Sequence, residues 1–141
     1  MSESLGSIGA ITLFVEDPQL SKTFYQNVFG LPVHFEDQNS VVFKFESVLI
    51  NLLRIQQAHD LIRPALVAGR DAGSRFQFTI RVGDTDAVCS ELGKRGVELL
   101  NGPVNRAWGP RTASFTDPDG HIWEIAGEAQ PKPDMDSPQA T

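Results

Sequence analysis

The sequence predicts an α+β fold made of two βαβββ modules that arose by internal duplication, each carrying a mixed sheet. Two observations carry that prediction. Residues 8–15 and 76–82 both alternate apolar and polar side chains, and each run leads into an Asp, a helical stripe and a Gly stop. The spacing repeats as well: Val15 and Val82, like Asp17 and Asp84, are 67 residues apart, and Gly30 and Gly96 are 66 apart. A βαβββ unit covers one face of its sheet with its helix and leaves the other bare. Two such units can therefore enclose a shared cleft, where function is expected.

In residues 8–15, Ile11, Leu13 and Val15 share one face and Ala10, Thr12 and Phe14 the other. Asp17-Pro18 then opens a helix, because Asp can cap free amide groups and Pro needs no N–H at the first helical position. Leu20, Phe24 and Val28 form its apolar stripe, and Gly30 ends it. Residues 32–36, 41–45 and 48–53 read as three further strands. Residues 55–74 break the pattern and read as a linker with one short helical turn. In the second module Val88 and Leu92 supply the helix stripe, and residues 111–115 and 121–126 are strands. Between these last two lies Asp117-Pro118-Asp119-Gly120, a strong turn signal. After it, Ile122 and Glu124 share one face while His121, Trp123 and Ile125 share the other. The expected organisation is an N-terminal extension (1–7), a first module (8–54), a linker (55–74), a second module (75–127) and a proline-rich disordered tail (128–141), the two modules making a single domain over 8–127.

Composition excludes several classes of function. With 141 residues, 40% of them hydrophobic, the chain can bury a real core. A net charge of −6 without a basic cluster argues against nucleic acid as a partner. No apolar run reaches the roughly 18 residues a membrane helix needs, and Met1-Ser2-Glu3-Ser4 is unlike a signal peptide, so the reading is cytoplasmic with no membrane partner. Cys89 has no second cysteine to pair with and falls in the second helix, where a structural thiol is expected.

Taken in order, Ile11-Thr12-Leu13-Phe14-Val15-Glu16-Asp17, Phe24-Tyr25 with Phe29-Gly30-Leu31, Ile80-Arg81-Val82 with Asp84, Trp108-Gly109, and Asp117-Pro118-Asp119-Gly120-His121-Ile122-Trp123-Glu124 resemble the vicinal oxygen chelate superfamily, the glyoxalase, bleomycin-resistance and dioxygenase group. The resemblance spans about residues 8–126. It implies paired βαβββ modules around a U-shaped site, and a homodimer. It also implies that the family's enzymes hold a divalent metal through four strand positions, two in each repeat. The matching residues here are Ala10, Asn51, Gln77 and Glu124, so the quartet is largely missing.

Zinc, nickel and iron sites use imidazole, thiolate and carboxylate donors, commonly three or more of them. Ala10 supplies none, Asn51 and Gln77 supply neutral amide oxygens, and Glu124 alone keeps a carboxylate. Such a set holds Mg²⁺ or Ca²⁺ weakly at best, and no metal or other cofactor is expected; were a metal bound, Glu124 would ligate it. His34, His59 and His121 read as surface or packing residues. The expected ligand site is instead a cleft floored by Glu124, with Gln77, Asn51, Thr12 and Thr79 around it, Phe14 in an apolar wall and Trp108 at the rim. Phe43 and Phe45 are further wall candidates. Glu124 has two readings here, as a structural carboxylate paired with Arg81 or an amide, or as the partner of a cationic ligand. The function this favours is metal-free binding or sequestration of a small molecule. The alternative is a metal-dependent lyase, isomerase or dioxygenase. Nothing supports a Ser-His-Asp triad, a Cys-His pair or a phosphate loop as a catalytic group.

Overall fold

The computed structural model describes residues 4–135, and the chain divides into two compact units between Asp71 and Ala72. The first unit runs β1 (Ala10–Val15), α1 (Pro18–Phe29), β2 (Phe35–Glu36), β3 (Ser40–Phe45), β4 (Val48–Arg54) and α2 (Ile55–Ile62), and a 3-10 turn at Arg70–Ala72 spans the boundary. The second runs β5 (Phe78–Arg81), α3 (Thr85–Lys94), β6 (Asn101–Asn105), β7 (Pro110–Thr116) and β8 (Ile122–Glu128). Each unit has one four-stranded mixed sheet, in the orders β1-β4-β3-β2 and β5-β8-β7-β6. The parallel pair is β1 with β4 in one and β5 with β8 in the other, and the remaining neighbours are antiparallel. The duplicated α+β architecture is as the repeat predicted.

In the first unit Asp17 accepts a hydrogen bond from the Gln19 amide at 3.0 Å, and Gly30 ends α1 at φ 67°. The buried stripe of that helix is Ser21, Tyr25 and Val28: Val28 is as expected, but Ser21 and Tyr25 take the places of Leu20 and Phe24, and Leu20 is exposed. Tyr25 carries the packing: its ring stacks on Phe43 at 5.7 Å and on Phe29 at 5.3 Å. A tyrosine and a serine on the inner face disguised the helix's orientation. Complete burial of an aromatic ring such as Phe43 contributes about 1.5–3 kcal/mol.

In the second unit Asp84 caps α3 by accepting from the Ala87 amide at 3.1 Å. Asp117 organises the turn between β7 and β8. Its Oδ1 accepts from the amides of Asp119 and His121 at 3.0 and 2.9 Å, and its carbonyl accepts from Gly120, whose φ is 90°. Gly127 lets α3 approach β8 closely: a Cβ there would lie 2.7 Å from Thr85 Oγ1, which donates to the Arg111 carbonyl at 2.7 Å.

Four expectations need correction. The linker contains a two-turn helix, α2, because Ile55, Ala58 and Ile62 line one face and Ala58 is fully buried. The strand expected over 32–36 shortens to Phe35–Glu36, since Pro32 has no N–H to donate; only the His34 amide, bonded to the Val42 carbonyl at 2.8 Å, extends the pairing. The third strand that the second βαβββ module requires, β6, has no residues assigned to it in the sequence reading, because Asn101-Gly102-Pro103 reads as a turn and the register shifts between Asn101 and Val104. Finally, residues 128–135 are not a disordered tail. Glu128 completes β8, and the following segment docks through Asn105, which donates from Nδ2 to the Gln130 carbonyl at 2.8 Å and receives the Gln130 amide on Oδ1 at 3.1 Å. The Asp134 carboxylate accepts from the Asn105 amide at 2.9 Å. Residues 136–141 of that expectation lie outside the described residues.

Candidate functional site

In the second unit α3 covers one face of the sheet. Phe78, Trp123, Ile125, Ala113, Phe115 and Arg111 point to it, and Arg111 reaches Asp86 on the helix. The opposite face has no helix from this unit. Along it, register places Thr79 beside Glu124 and Arg81 beside Ala126 on the β5–β8 pair, with Ser114 beside Glu124 and Pro110 beside Glu128 on β7–β8. Alternation thus puts Glu124, Ala126 and Glu128 in one row.

Glu124 is half-buried, and its Oε1 accepts from the Thr79 hydroxyl at 2.8 Å. The ion pair with Arg81 is not formed. Arg81 shares the face but sits diagonally from Glu124, and among the described residues neither it nor Glu128 makes a side-chain hydrogen bond or ion pair. An open pocket of about 370 Å³ continues this face, lined by Arg81, Pro110, Ala126 and Glu128 together with Gly109 and Ala129. The sequence reading missed Pro110, Ala126 and Glu128; the alternation that placed Glu124 on this face also places the last two there.

Trp108 belongs to the turn joining β6 and β7 and is 74% exposed. Arg106 links that turn to the sheet. Its Nε donates to Thr112 Oγ1 at 2.8 Å, its Nη2 donates to Asn101 Oδ1 at 2.6 Å, and its guanidinium carbon lies 6.0 Å from the centre of the Trp108 ring. The indole does not line the pocket; Trp108 precedes Gly109, which does, and is in cation–π contact with Arg106. Gln77 precedes β5, is exposed and makes no side-chain hydrogen bond among the described residues, so the amide partner expected for Glu124 is replaced by Thr79.

The first unit repeats the pattern with different chemistry. Thr12 pairs in register with Asn51, as Thr79 does with Glu124, and Asn51 Nδ2 approaches Thr12 Oγ1 at 3.5 Å. Asn51 Oδ1 is buried without a hydrogen-bond partner. Phe14 lies on the same face, in register with Leu53, and Ala10 with Leu49. Phe43 and Phe45 do not belong to this wall, since they pack toward α1 against Tyr25 and Phe29. Among the described residues no three His, Cys, Asp or Glu side chains gather closely enough to share a metal ion. His121 is engaged with Asp117, its Nδ1 at 2.9 Å from Oδ2.

Two groups outside this face have altered acidity. Asp86 is held below its usual 3.8 by its hydrogen bonds from Arg111 and Lys132. Burial, with Asp86 nearby, pushes the Cys89 thiol up to about 11, which keeps it protonated and unreactive as a nucleophile. Among the described residues no helix is long and apolar enough to cross a membrane.

Comparison with known proteins gives a consistent result. The family described as the Glyoxalase/Bleomycin resistance protein/Dioxygenase superfamily matches residues 7–125. The uncharacterized protein YraH of Bacillus subtilis strain 168 is 30% identical over 120 residues, which is 82% of this chain and 93% of that protein. The metallothiol transferase FosB of Lysinibacillus sphaericus strain C3-41 is 26% identical over 119 residues, covering 84% of this chain and 80% of its own. Among solved structures, a glyoxalase/bleomycin resistance protein/dioxygenase from Nocardioides superposes with a TM-score of 0.80 at 20% identity, over 93% of this chain and 89% of that one.

Proposed function

The chain belongs to the glyoxalase/bleomycin resistance protein/dioxygenase superfamily, and from that premise we propose that it binds a small molecule without a metal, on the helix-free face of its second sheet. The observation that carries this reading is Glu124: a half-buried carboxylate held by a single neutral hydroxyl, on a face that opens into an apolar-walled pocket. A carboxylate whose one local partner is a neutral hydroxyl keeps acceptor capacity for a cationic group on a ligand.

The donor set argues against a resident metal. The four positions matched to the family's ligands offer one carboxylate, two neutral amides and a methyl group, from Glu124, Asn51, Gln77 and Ala10. These do not fit a zinc, nickel or iron site, for which basic nitrogen, sulfur or several carboxylate donors are needed. FosB is named a metallothiol transferase, but that name describes FosB. Loss of the basic donors favours binding over metal-assisted chemistry here.

Trp108 emission is the readout. Titration with a panel of aromatic amines should give saturable changes that disappear in Trp108→Phe, while Glu124→Gln should weaken the amines about tenfold and leave the fold intact. Absence of any saturable response across the panel, from folded protein, would refute the binding reading. Stoichiometric retention of Zn²⁺, Ni²⁺ or Mn²⁺ after desalting, lost in Glu124→Gln, would refute its metal-free part.

A further inference from the structure

The pocket beyond Glu124 has a charge pattern of its own. Its walls are backbone and small apolar groups, Pro110, Ala126, Gly109 and Ala129, together with two ionic side chains of opposite sign, Arg81 and Glu128. Register puts Arg81 beside Ala126, and Glu128 lies two residues further along β8 on the same face. One strand apart and two residues along it, their backbones stand roughly 8 Å apart, within reach of two long side chains. Despite that reach, they are not paired with each other or with any other described residue. Elsewhere in the same unit Arg111 and Lys132 engage Asp86 and Arg106 engages Asn101, while Arg75 and Lys94, which do not line the pocket, point to solvent like Arg81.

We infer that this pocket takes a zwitterionic small molecule of the α-amino-acid class, its carboxylate on Arg81, its ammonium on Glu128 and its apolar side chain against Pro110 and Ala126. A guanidinium is the side chain best matched to a planar carboxylate, because it offers two parallel N–H donors. Glu128 supplies acceptors for an ammonium, and with both signs present a ligand carrying one of each meets no like-charge penalty. A pocket of about 370 Å³ suits a molecule of that size. The proposal deepens the binding function above and rests on it, since both use the same sheet face.

Three probes with one apolar body separate the contributions: L-phenylalanine, phenethylamine, which lacks the carboxylate, and 3-phenylpropionate, which lacks the ammonium. Amide shifts of ¹⁵N-labelled full-length protein are followed in each titration. Phenylalanine should move the amides of Arg81, Gly109, Ala126 and Glu128 and bind at least tenfold more tightly than either analogue. Arg81→Gln should bring phenylalanine down to the level of phenethylamine, and Glu128→Gln to that of 3-phenylpropionate. Both side chains are exposed, so neither substitution threatens folding. Equal affinity for phenylalanine and phenethylamine, or no response at these amides to any of the three, overturns the assignment. A panel amine that shifts Thr79 and Glu124 while all three probes leave the pocket silent would reject the zwitterion and retain the binding function. Silence of both would reject both.

Discussion

Replacing Asp86 with Ala tests the energetics of the second unit directly. Arg111 is fully buried, and its guanidinium meets Asp86 twice, Nε to Oδ1 at 2.8 Å and Nη2 to Oδ2 at 3.4 Å. Removing one partner of a buried pair strands the other charge and costs about 3–5 kcal/mol. Here the loss is softened, because the Pro133 carbonyl still accepts from Nη2 at 2.9 Å, Asp134 lies 3.6 Å from Nη1 and the Asp86 side chain is itself 25% exposed. A loss of about 2–3 kcal/mol follows, on the order of 10 °C in Tm. Urea denaturation followed by tryptophan emission reads it, since Trp108 and Trp123 both lie in the second unit and Trp123 is 2% exposed. The pH dependence has a defined sign. Asp86 is held below its usual 3.8, so its contribution is fully present above that value and fades as pH falls below it toward the folded value. Wild type should lose part of its margin over Asp86→Ala in that acid window. A cost under about 0.5 kcal/mol, the range of ordinary surface substitutions, would refute the claim that this pair holds the unit together.

Two further outcomes are expected. Gly102→Ala should destabilise by more than about 3 kcal/mol in the same urea assay, because φ is 86° and the new Cβ would collide with the Thr112 carbonyl and lie 2.8 Å from Ala113 Cα, both of them backbone on β7. Cys89 should react with iodoacetamide at pH 8 about a hundredfold more slowly than a free cysteine, measured by mass spectrometry, because a thiol titrating at about 11 is almost entirely protonated there.

What the sequence revealed, and what it hid, follows from the range of the interactions involved. Asp17 and Asp84 as caps, Gly30 as a stop and the Asp117–Gly120 turn are local devices, set by side chains within four residues of the backbone they satisfy, and they could be read directly. So could the alternation that put Glu124 opposite Trp123. Strand β6 could not, because Gly102 and Pro103 break every strand signal and the pairing is imposed by β7. Nor could the docking of residues 129–135. Proline and charge argue for disorder, but Arg111, buried near the start of β7, needs an acceptor that the Pro133 carbonyl supplies, with Asp134 a further 3.6 Å ion-pair contact. The sequence signal was an arginine opening an apolar strand, a residue almost never fully buried unless paired.

The site divides along the same line. Thr12–Asn51 and Thr79–Glu124 occupy equivalent positions on the parallel pair of each sheet, so duplication predicts both contacts once either is known. Their chemistry has diverged. In the first unit a neutral amide leaves Asn51 Oδ1 buried and unpaired, a cost of about 1–3 kcal/mol that nothing within the described residues relieves. In the second, a carboxylate takes the Thr79 hydroxyl and stays partly open to solvent, where its charge is tolerable. A buried site tuned for a metal would gather basic donors at such positions and exclude water from them. Neither pair gathers such donors: Asn51 keeps a buried, unused amide oxygen, and Glu124 keeps a carboxylate that is partly open to solvent. Under the proposed binding function, these are the acceptors that would meet hydrogen-bond donors and cations on a ligand.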